Sequence, residues 1–135
     1  MKAHIQRSAA PKILFYPGGG MDQSHAVAAF CQKENIPFQT VSAGGFGDSL
    51  GYLAGIPGFS PAESPWDQPL PQREAMIICG LEEKRVRQLL EKMNLLKLRV
   101  ELKAVMTPHN QGWPFGALLT ELEKEHLALH PQENG

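Results

Sequence analysis

Ala75-Met76-Ile77-Ile78-Cys79-Gly80, followed at once by Leu81-Glu82-Glu83-Lys84-Arg85-Val86-Arg87-Gln88-Leu89-Leu90-Glu91-Lys92-Met93, decides the fold. An unbroken apolar run that stops on a glycine reads as a strand buried on both faces. Glu82 and Glu83 suit the first turn of a helix, whose positive end favours carboxylates, and Val86, Leu89, Leu90 and Met93 form an i, i+3, i+4, i+7 stripe. Arg99 to Met106 then alternates as a half-exposed strand does, with Val100, Leu102, Ala104 and Met106 on one side and Glu101, Lys103 and Val105 on the other. Pro114 opens a final helix whose stripe is Phe115, Leu118, Leu119, Leu122, His126 and Leu129.

Working back toward the N-terminus, the same plan recurs. Lys12 to Pro17 (KILFYP) is a short apolar strand that runs into Gly18-Gly19-Gly20. Asp22 or Ser24 supplies the N-cap of a helix with Ala26, Ala29 and Phe30 at helical spacing and Val27 widening the face; Pro37 stops it, and Phe38 to Ser42 resumes an extended pattern. Ser49-Leu50-Gly51-Tyr52-Leu53 then occupies the place that Pro114-Phe115-Gly116-Ala117-Leu118-Leu119 holds later. The reading is one domain over residues 1–135, with a pseudo-repeat of residues 12–54 and 75–130. The connection, residues 55–73, contains Pro57, Pro61, Pro65, Pro69 and Pro71, which exclude a continuous helix or central strand, while Phe59, Trp66 and Leu70 lay it against the body.

The expected fold class is α/β: a three-layer α/β/α domain with a four-stranded sheet built from two β-α-β-α halves. The alternative is a ferredoxin-like β-α-β-β-α-β arrangement with an added C-terminal helix. Both put the first and third strands, apolar on both faces, at the centre of the sheet and the alternating strands at its edges.

Thirteen basic residues balance fourteen acidic ones for a net charge of −1, with no run of either sign, so no nucleic-acid footprint is expected. The first residues lack the apolar run of a secretory signal, and nothing approaches a membrane span. Cys31 and Cys79 each stand in an apolar stretch, the pattern of two buried thiols in a reducing cytoplasm. A homodimer is expected through the exposed edge strands or through Phe59 and Trp66.

Cys79-Gly80, Lys103-Ala104-Val105-Met106-Thr107, Asn110, Trp113, and the Glu121-Leu122 and Glu125-His126 pairs give Ala75 to His126 a resemblance to a bacterial family of uncharacterised proteins, the domain of unknown function 3783. The resemblance implies no activity, because the family has none to carry over.

Two places concentrate binding chemistry. Gly18, Gly19 and Gly20 between a central strand and a helix let backbone N–H groups converge on an anion, although Asp22 opposes one and neither a G-x-G-x-x-G pattern nor a P-loop lysine is present. Thr107, His109 and Asn110 gather hydrogen-bonding groups after the fourth strand, with Trp113 as an apolar wall; the competing explanation is a loop that satisfies its own backbone. Cys79 with His109 forms a candidate thiol–imidazole pair, set against a buried structural thiol. His126 and His130, four apart, are too few for a metal, and His4 and His25 add no ligand spacing. Lys103 reads as an outward lysine that guards an edge strand. Together these point to a noncatalytic binding or regulatory domain that recognises a protein partner or small ligand through the Gly-rich turn, the Thr107 to Trp113 loop or the Pro-rich connection, with no cofactor. The alternative is a small cytosolic enzyme that uses Cys79 and His109 or acts on a phosphorylated metabolite.

Overall fold

The computed structural model describes residues 9–19 and 22–130. Along the chain run β1 (Lys12–Tyr16), α1 (Ser24–Lys33), β2 (Phe38–Thr40), a short 3-10 turn at Ala43–Gly45, α2 (Leu50–Leu53), β3 (Ala75–Cys79), α3 (Glu83–Leu95), β4 (Leu102–Val105) and α4 (Phe115–Leu129). These elements make a mixed α/β fold around an open four-stranded sheet in the order β2-β1-β3-β4. The two central strands are the two that carry no polar face. They are antiparallel, in register from Lys12 opposite Cys79 to Tyr16 opposite Ala75, and each has a parallel edge strand, β2 on β1 and β4 on β3.

The ferredoxin-like alternative is thereby corrected. That arrangement splits each βαβ unit by inserting another strand, whereas here β1 and β2 are direct parallel neighbours, as are β3 and β4. Each parallel pair is joined through a helix, α1 or α3, which supplies the crossover that parallel pairing requires.

Alternation along the central strands divides the core. Leu14, Tyr16, Ala75, Ile77 and Cys79 join one apolar cluster with Phe46, Leu50 and Leu53 and with Phe115, Leu118 and Leu119 of α4. Ile13, Phe15, Met76 and Ile78 join a second, with Val27, Phe30 and Cys31 of α1 and Val86, Leu89 and Met93 of α3. On α1 the buried stripe is Val27, Phe30 and Cys31, while Ala26 and Ala29 are exposed. Spacing admits either face, and the larger side chains take the core because they remove more apolar area from water. The N-cap of α1 is Gln23; the Asp22 carboxylate instead accepts the backbone N–H and the hydroxyl of Ser24. β4 begins only at Leu102, so Val100 lies before the strand and packs in the α1–α3 cluster, not on the face of Leu102 and Ala104.

Helices α1 and α3 end alike. Asn35 (φ 60°) and Lys97 (φ 61°) take the left-handed conformation, and the next residues, Ile36 and Leu98, donate backbone N–H groups to Cys31 and Met93, each at 2.9 Å. This six-to-one closure satisfies helix carbonyls that would otherwise lack donors. Glu34 ties the two helices, accepting from Arg85 Nη1 at 3.2 Å and Lys92 Nζ at 3.0 Å.

The proline-rich connection is held by aromatic rings resting where side chains are missing. A Cβ at Gly116 in α4 would come within 2.5 Å of the Trp66 indole, and one at Gly51 in α2 within 2.5 Å of the Phe59 ring. Further along, the Tyr16 hydroxyl donates to the Pro71 carbonyl at 2.8 Å, and Ala62 N–H donates to Asp48 Oδ1 at 2.7 Å. No helix among the described residues is long and apolar enough to cross a membrane.

Ile78 pairs with Ile13 and is enclosed by the α1–α3 cluster. Ile78→Asp is expected to cost at least about 3 kcal/mol, because a carboxylate there has no counter-charge. Urea unfolding followed by circular dichroism reads the loss, and a midpoint near that of the wild type would contradict this placement.

Candidate functional site

Strand direction separates the two clusters of candidate ligand-binding residues. Gly18 and Gly19 follow the end of β1, where Tyr16 pairs with Ala75 at the start of β3. Thr107 to Trp113 follow the end of β4, where Val105 pairs with Ile78 near the end of β3. The glycine turn and the Thr107 loop therefore lie at opposite ends of the sheet. Gly20 and His4 lie outside the described residues.

At the glycine turn the chain passes close against the residues that lead into β3. Gly18 has φ +69°, and a Cβ there would lie 2.7 Å from the Gln72 carbonyl oxygen and 2.8 Å from the Glu74 nitrogen. Gly19 N–H donates to that same Gln72 carbonyl at 2.8 Å, so it is committed to the protein. Close backbone approach accounts for Gly18 without a ligand.

The electrostatics of this corner favour cations over anions. Glu74 is only 7% exposed; its Oε1 accepts from Gln23 Nε2, and its Oε2 has no hydrogen-bond partner among the described residues. Gln23 Nε2 also donates to the Arg99 carbonyl at 2.8 Å, pinning the start of α1 to the segment before β4. Burial pushes the Glu74 carboxyl above its ordinary value, and the charges of Glu101 and Asp22 add to the rise against the opposing Gln23 hydrogen bond. A phosphate placed here would meet carboxylates, which is the wrong sign.

At the other end, the Thr107 loop spends its polar groups on itself. Asn110 Oδ1 accepts Thr107 N–H at 2.8 Å, Thr107 Oγ1 accepts Asn110 N–H at 3.2 Å, and Asn110 Nδ2 donates to the Val105 carbonyl at 3.2 Å. The loop then caps α2: Gly51 N–H donates to the Gln111 carbonyl at 2.8 Å and Leu50 N–H to the Trp113 carbonyl at 3.0 Å, while Tyr52 N–H is taken by Ser49 Oγ. The service is returned, because Phe115 and Gly116 at the start of α4 donate to the Asp48 and Phe46 carbonyls. Ser49 and Pro114 meet in a β-bridge between these two helix starts. Two sets of orphan helix donors are thus satisfied by the two loops.

Trp113 packs partly buried on the α4 cluster, with its ring centroid 6.0 Å from that of exposed His109. Cys79 is fully enclosed at the end of β3, and burial pushes its thiol up to about 12, with the Lys12 charge opposing that rise. Cys31 is likewise raised by burial, to about 11. A thiol in such a place stays protonated at neutral pH, so Cys79 has no thiolate to offer His109.

His126 and His130 stack with ring centroids 4.4 Å apart, and His126 Nε2 lies 3.8 Å from Glu101 Oε2. Arg73 bridges the same region, with Nε 3.6 Å from Glu101 and Nη1 3.3 Å from Glu123. No group of three His, Cys, Asp or Glu side chains that could hold a metal occurs among the described residues. Lys103 is exposed on β4 and donates to the Val100 carbonyl at 2.8 Å.

One groove has a wall that the sequence already offers for recognition, the Pro-rich connection. It measures about 390 Å³ and runs between the connection (Trp66, Gln68, Pro69, Leu70, Pro71) and α4 (Ala117, Thr120, Glu123). Trp66 among prolines was its sequence signal; the matching wall on α4 carried none. Glu74 was also missed, although a carboxylate directly abutting an apolar strand is the pattern that marks it.

Residues 74–129 match the family DUF3783, a domain of unknown function. No curated protein and no solved structure matches the chain. The DUF3783 segment starts at buried Glu74 and takes in β3, α3, β4 and nearly all of α4, so it supplies one central strand, the self-closed Thr107 loop and one wall of the groove.

Two measurements test this reading of the buried groups. Cys79 is expected to resist a thiol reagent in native protein at mildly alkaline pH and to react only as the chain unfolds; labelling faster than unfolding would contradict its protonated, enclosed state. Glu74→Gln tests the raised carboxyl. A folded-state value above the unfolded one means that stability is full below the ordinary carboxylate range and falls as pH rises through it toward the folded value. Glu74→Gln protein should therefore be more stable than wild type near neutral pH, with the margin shrinking toward about pH 4, in urea titrations across that range. A variant less stable than wild type at neutral pH would refute the assignment.

Proposed function

We propose that this chain is a noncatalytic binding domain whose ligand seats in the groove between the proline-rich connection and α4. The single observation that carries this reading is a preformed apolar wall. Trp66 rests on Gly116, and Pro71 is tied by the Tyr16 hydroxyl, so Pro69, Leu70 and Pro71 are held in place before any ligand arrives. A wall that is already ordered spares the ligand the entropy of ordering it. The volume of about 390 Å³ and the mix of apolar walls with a few polar groups, Gln68, Thr120 and Glu123, suit an apolar small molecule or a protein partner's apolar side chain.

Catalysis draws no such support. The Cys79 thiol is raised by burial to about 12, and the Thr107 and Asn110 side chains are occupied within their loop. An enzyme needs its nucleophile or base both ionisable and reachable.

The test is a fragment screen by two-dimensional NMR on wild-type and Ala117→Phe protein. Ala117 lines the groove at the first turns of α4, and a phenyl ring there fills it. Fragments with an aromatic or branched aliphatic body should shift the Trp66 indole, Leu70 and Thr120 resonances of the wild type and lose at least about tenfold in affinity for Ala117→Phe. Hits that map elsewhere, or bind both proteins equally, would overturn the groove as the ligand site.

A further inference from the structure

The two edges of the sheet are finished differently. On β4 the backbone groups of Lys103 and Val105 face away from β3, since Leu102 and Met106 donate inward to the Glu74 and Ile78 carbonyls. The Val105 carbonyl is taken by Asn110 Nδ2 at 3.2 Å, and Lys103 Nζ reaches back to the Val100 carbonyl at 2.8 Å. A lysine on the strand and a loop folded over its end are devices that keep an edge from pairing.

β2 has neither. Ile13 N–H donates to the Pro37 carbonyl and Val41 N–H to the Phe15 carbonyl, each at 2.8 Å. In this parallel register Gln39 spends its backbone groups on β1, while Phe38 and Thr40 turn theirs outward. Those outward groups meet no hydrogen-bond partner among the described residues. No charged residue occurs from Phe38 to Gly47. Beside this bare edge lies an open groove of about 510 Å³, with Phe38 and Thr40 on one side and Ala28, Ala29 and Gln32 of α1 on the other. Its walls include no lysine, arginine or carboxylate. It is space for the side chains of one more strand. Phe59 and Trp66, the apolar candidates elsewhere for a contact between copies, already rest on Gly51 and Gly116 of their own chain.

We propose that a second copy of this chain adds to the sheet along β2, antiparallel about a twofold axis at Gln39, so that the two sheets become continuous. Phe38 of each copy then stands opposite Thr40 of the other, and each such pair exchanges both of its backbone hydrogen bonds. The edge is self-complementary, as a twofold contact requires, because its outward residues flank a single inward one. The same axis runs the two α1 helices antiparallel over the join. Ala28 and Ala29, level with the strand across the groove, leave room for that approach, and Lys33 at the end of each helix turns toward the Asp22 end of the other. An extended segment of an unrelated protein would satisfy the same backbone groups, but an uncharged groove gives it nothing to be chosen by, whereas opposite charges at the two ends of α1 favour the antiparallel copy. β2 has only three residues, so the contact is small beside the about 800 Å² per partner of a standard interface, and the dimer dissociates on dilution. This face belongs to α1 and β2, whereas the groove beside Trp66 lies between the connection and α4, so the two proposals stand or fall separately.

Sedimentation equilibrium from low to high micromolar protein should show monomer passing into dimer. Thr40→Pro removes an outward donor at a position where an edge strand tolerates proline. Ala29→Glu, at an exposed position of α1, sets like charges against each other across the axis. Each should weaken the dimer by at least about tenfold, while Lys103→Pro on the outer edge of β4 and Ala117→Phe leave it unchanged. Circular dichroism with thermal melting confirms that the variants fold. In the wild type, hydrogen exchange at the Phe38 and Thr40 amides should slow as the protein concentration rises, which no variant's folding can affect. A monomer at every concentration, a dimer that Lys103→Pro dissociates and Thr40→Pro does not, or exchange at these amides that ignores concentration would overturn the proposal. So would peptides from a random library that slow the same exchange in protein that stays monomeric, since that result assigns the edge to a partner's strand.

Discussion

Everything in this molecule is arranged around the antiparallel pairing of two strands that have no side fit for water. Ile13 to Tyr16 and Ala75 to Cys79 are buried along their whole lengths. A sheet whose centre is apolar on both faces is stable only if both faces are covered, and each βα run covers one face with its first helix and the other with its second. The antiparallel register then forces the two glycines that follow these strands, Gly18 and Gly80, into left-handed backbone against the opposing chain. The edges are left to β2 and β4, which carry the polar and half-exposed residues.

A second dependence follows from the first. Because β1 and β3 run in opposite directions, the loops that leave their parallel partners start at opposite ends of the sheet and must travel inward to meet. They meet where Ser49 pairs with Pro114, and there each loop supplies the carbonyls that the other's helix lacks. That mutual capping explains why Thr107, Asn110 and Trp113, a polar and aromatic group of the kind that binds ligands, are engaged in structure. It also frees the proline-rich connection from bridging the core, so it lies across α2 and α4 with its rings on Gly51 and Gly116 and forms the wall of a groove.

The electrostatic picture is local, as a net charge of −1 foretells. Carboxylates gather at the corner of Glu74, Asp22 and Glu101, with Arg73 drawn to Glu101 and Glu123. The buried Glu74 carboxyl is placed at a cost to folding, and its hydrogen bond from Gln23, which also holds the Arg99 carbonyl, recovers part of that cost by joining three segments.

The sequence by itself determined the order of elements, the central position of the first and third strands, and the resemblance of the C-terminal half to DUF3783, because unbroken apolar runs, helical stripes and short motifs are local properties of a chain. It marked Cys79 as a buried thiol for the same reason, and beside a ligand-binding reading it offered a Thr107 loop that satisfies its own backbone, as Thr107 and Asn110 do. Strand direction, which face of α1 meets the core, and the separation of the glycine turn from the Thr107 loop were decided only by tertiary structure. Ala26 and Val27 are both acceptable at helical spacing, and only packing against Phe15 and Ile78 chooses between them. Nor can any local pattern place Trp66 on Gly116, fifty positions on, or leave the Glu74 carboxyl facing no donor on its second oxygen. Grooves and buried charges arise between segments that are distant in the chain, so their walls and partners exist only once the sheet has brought those segments together.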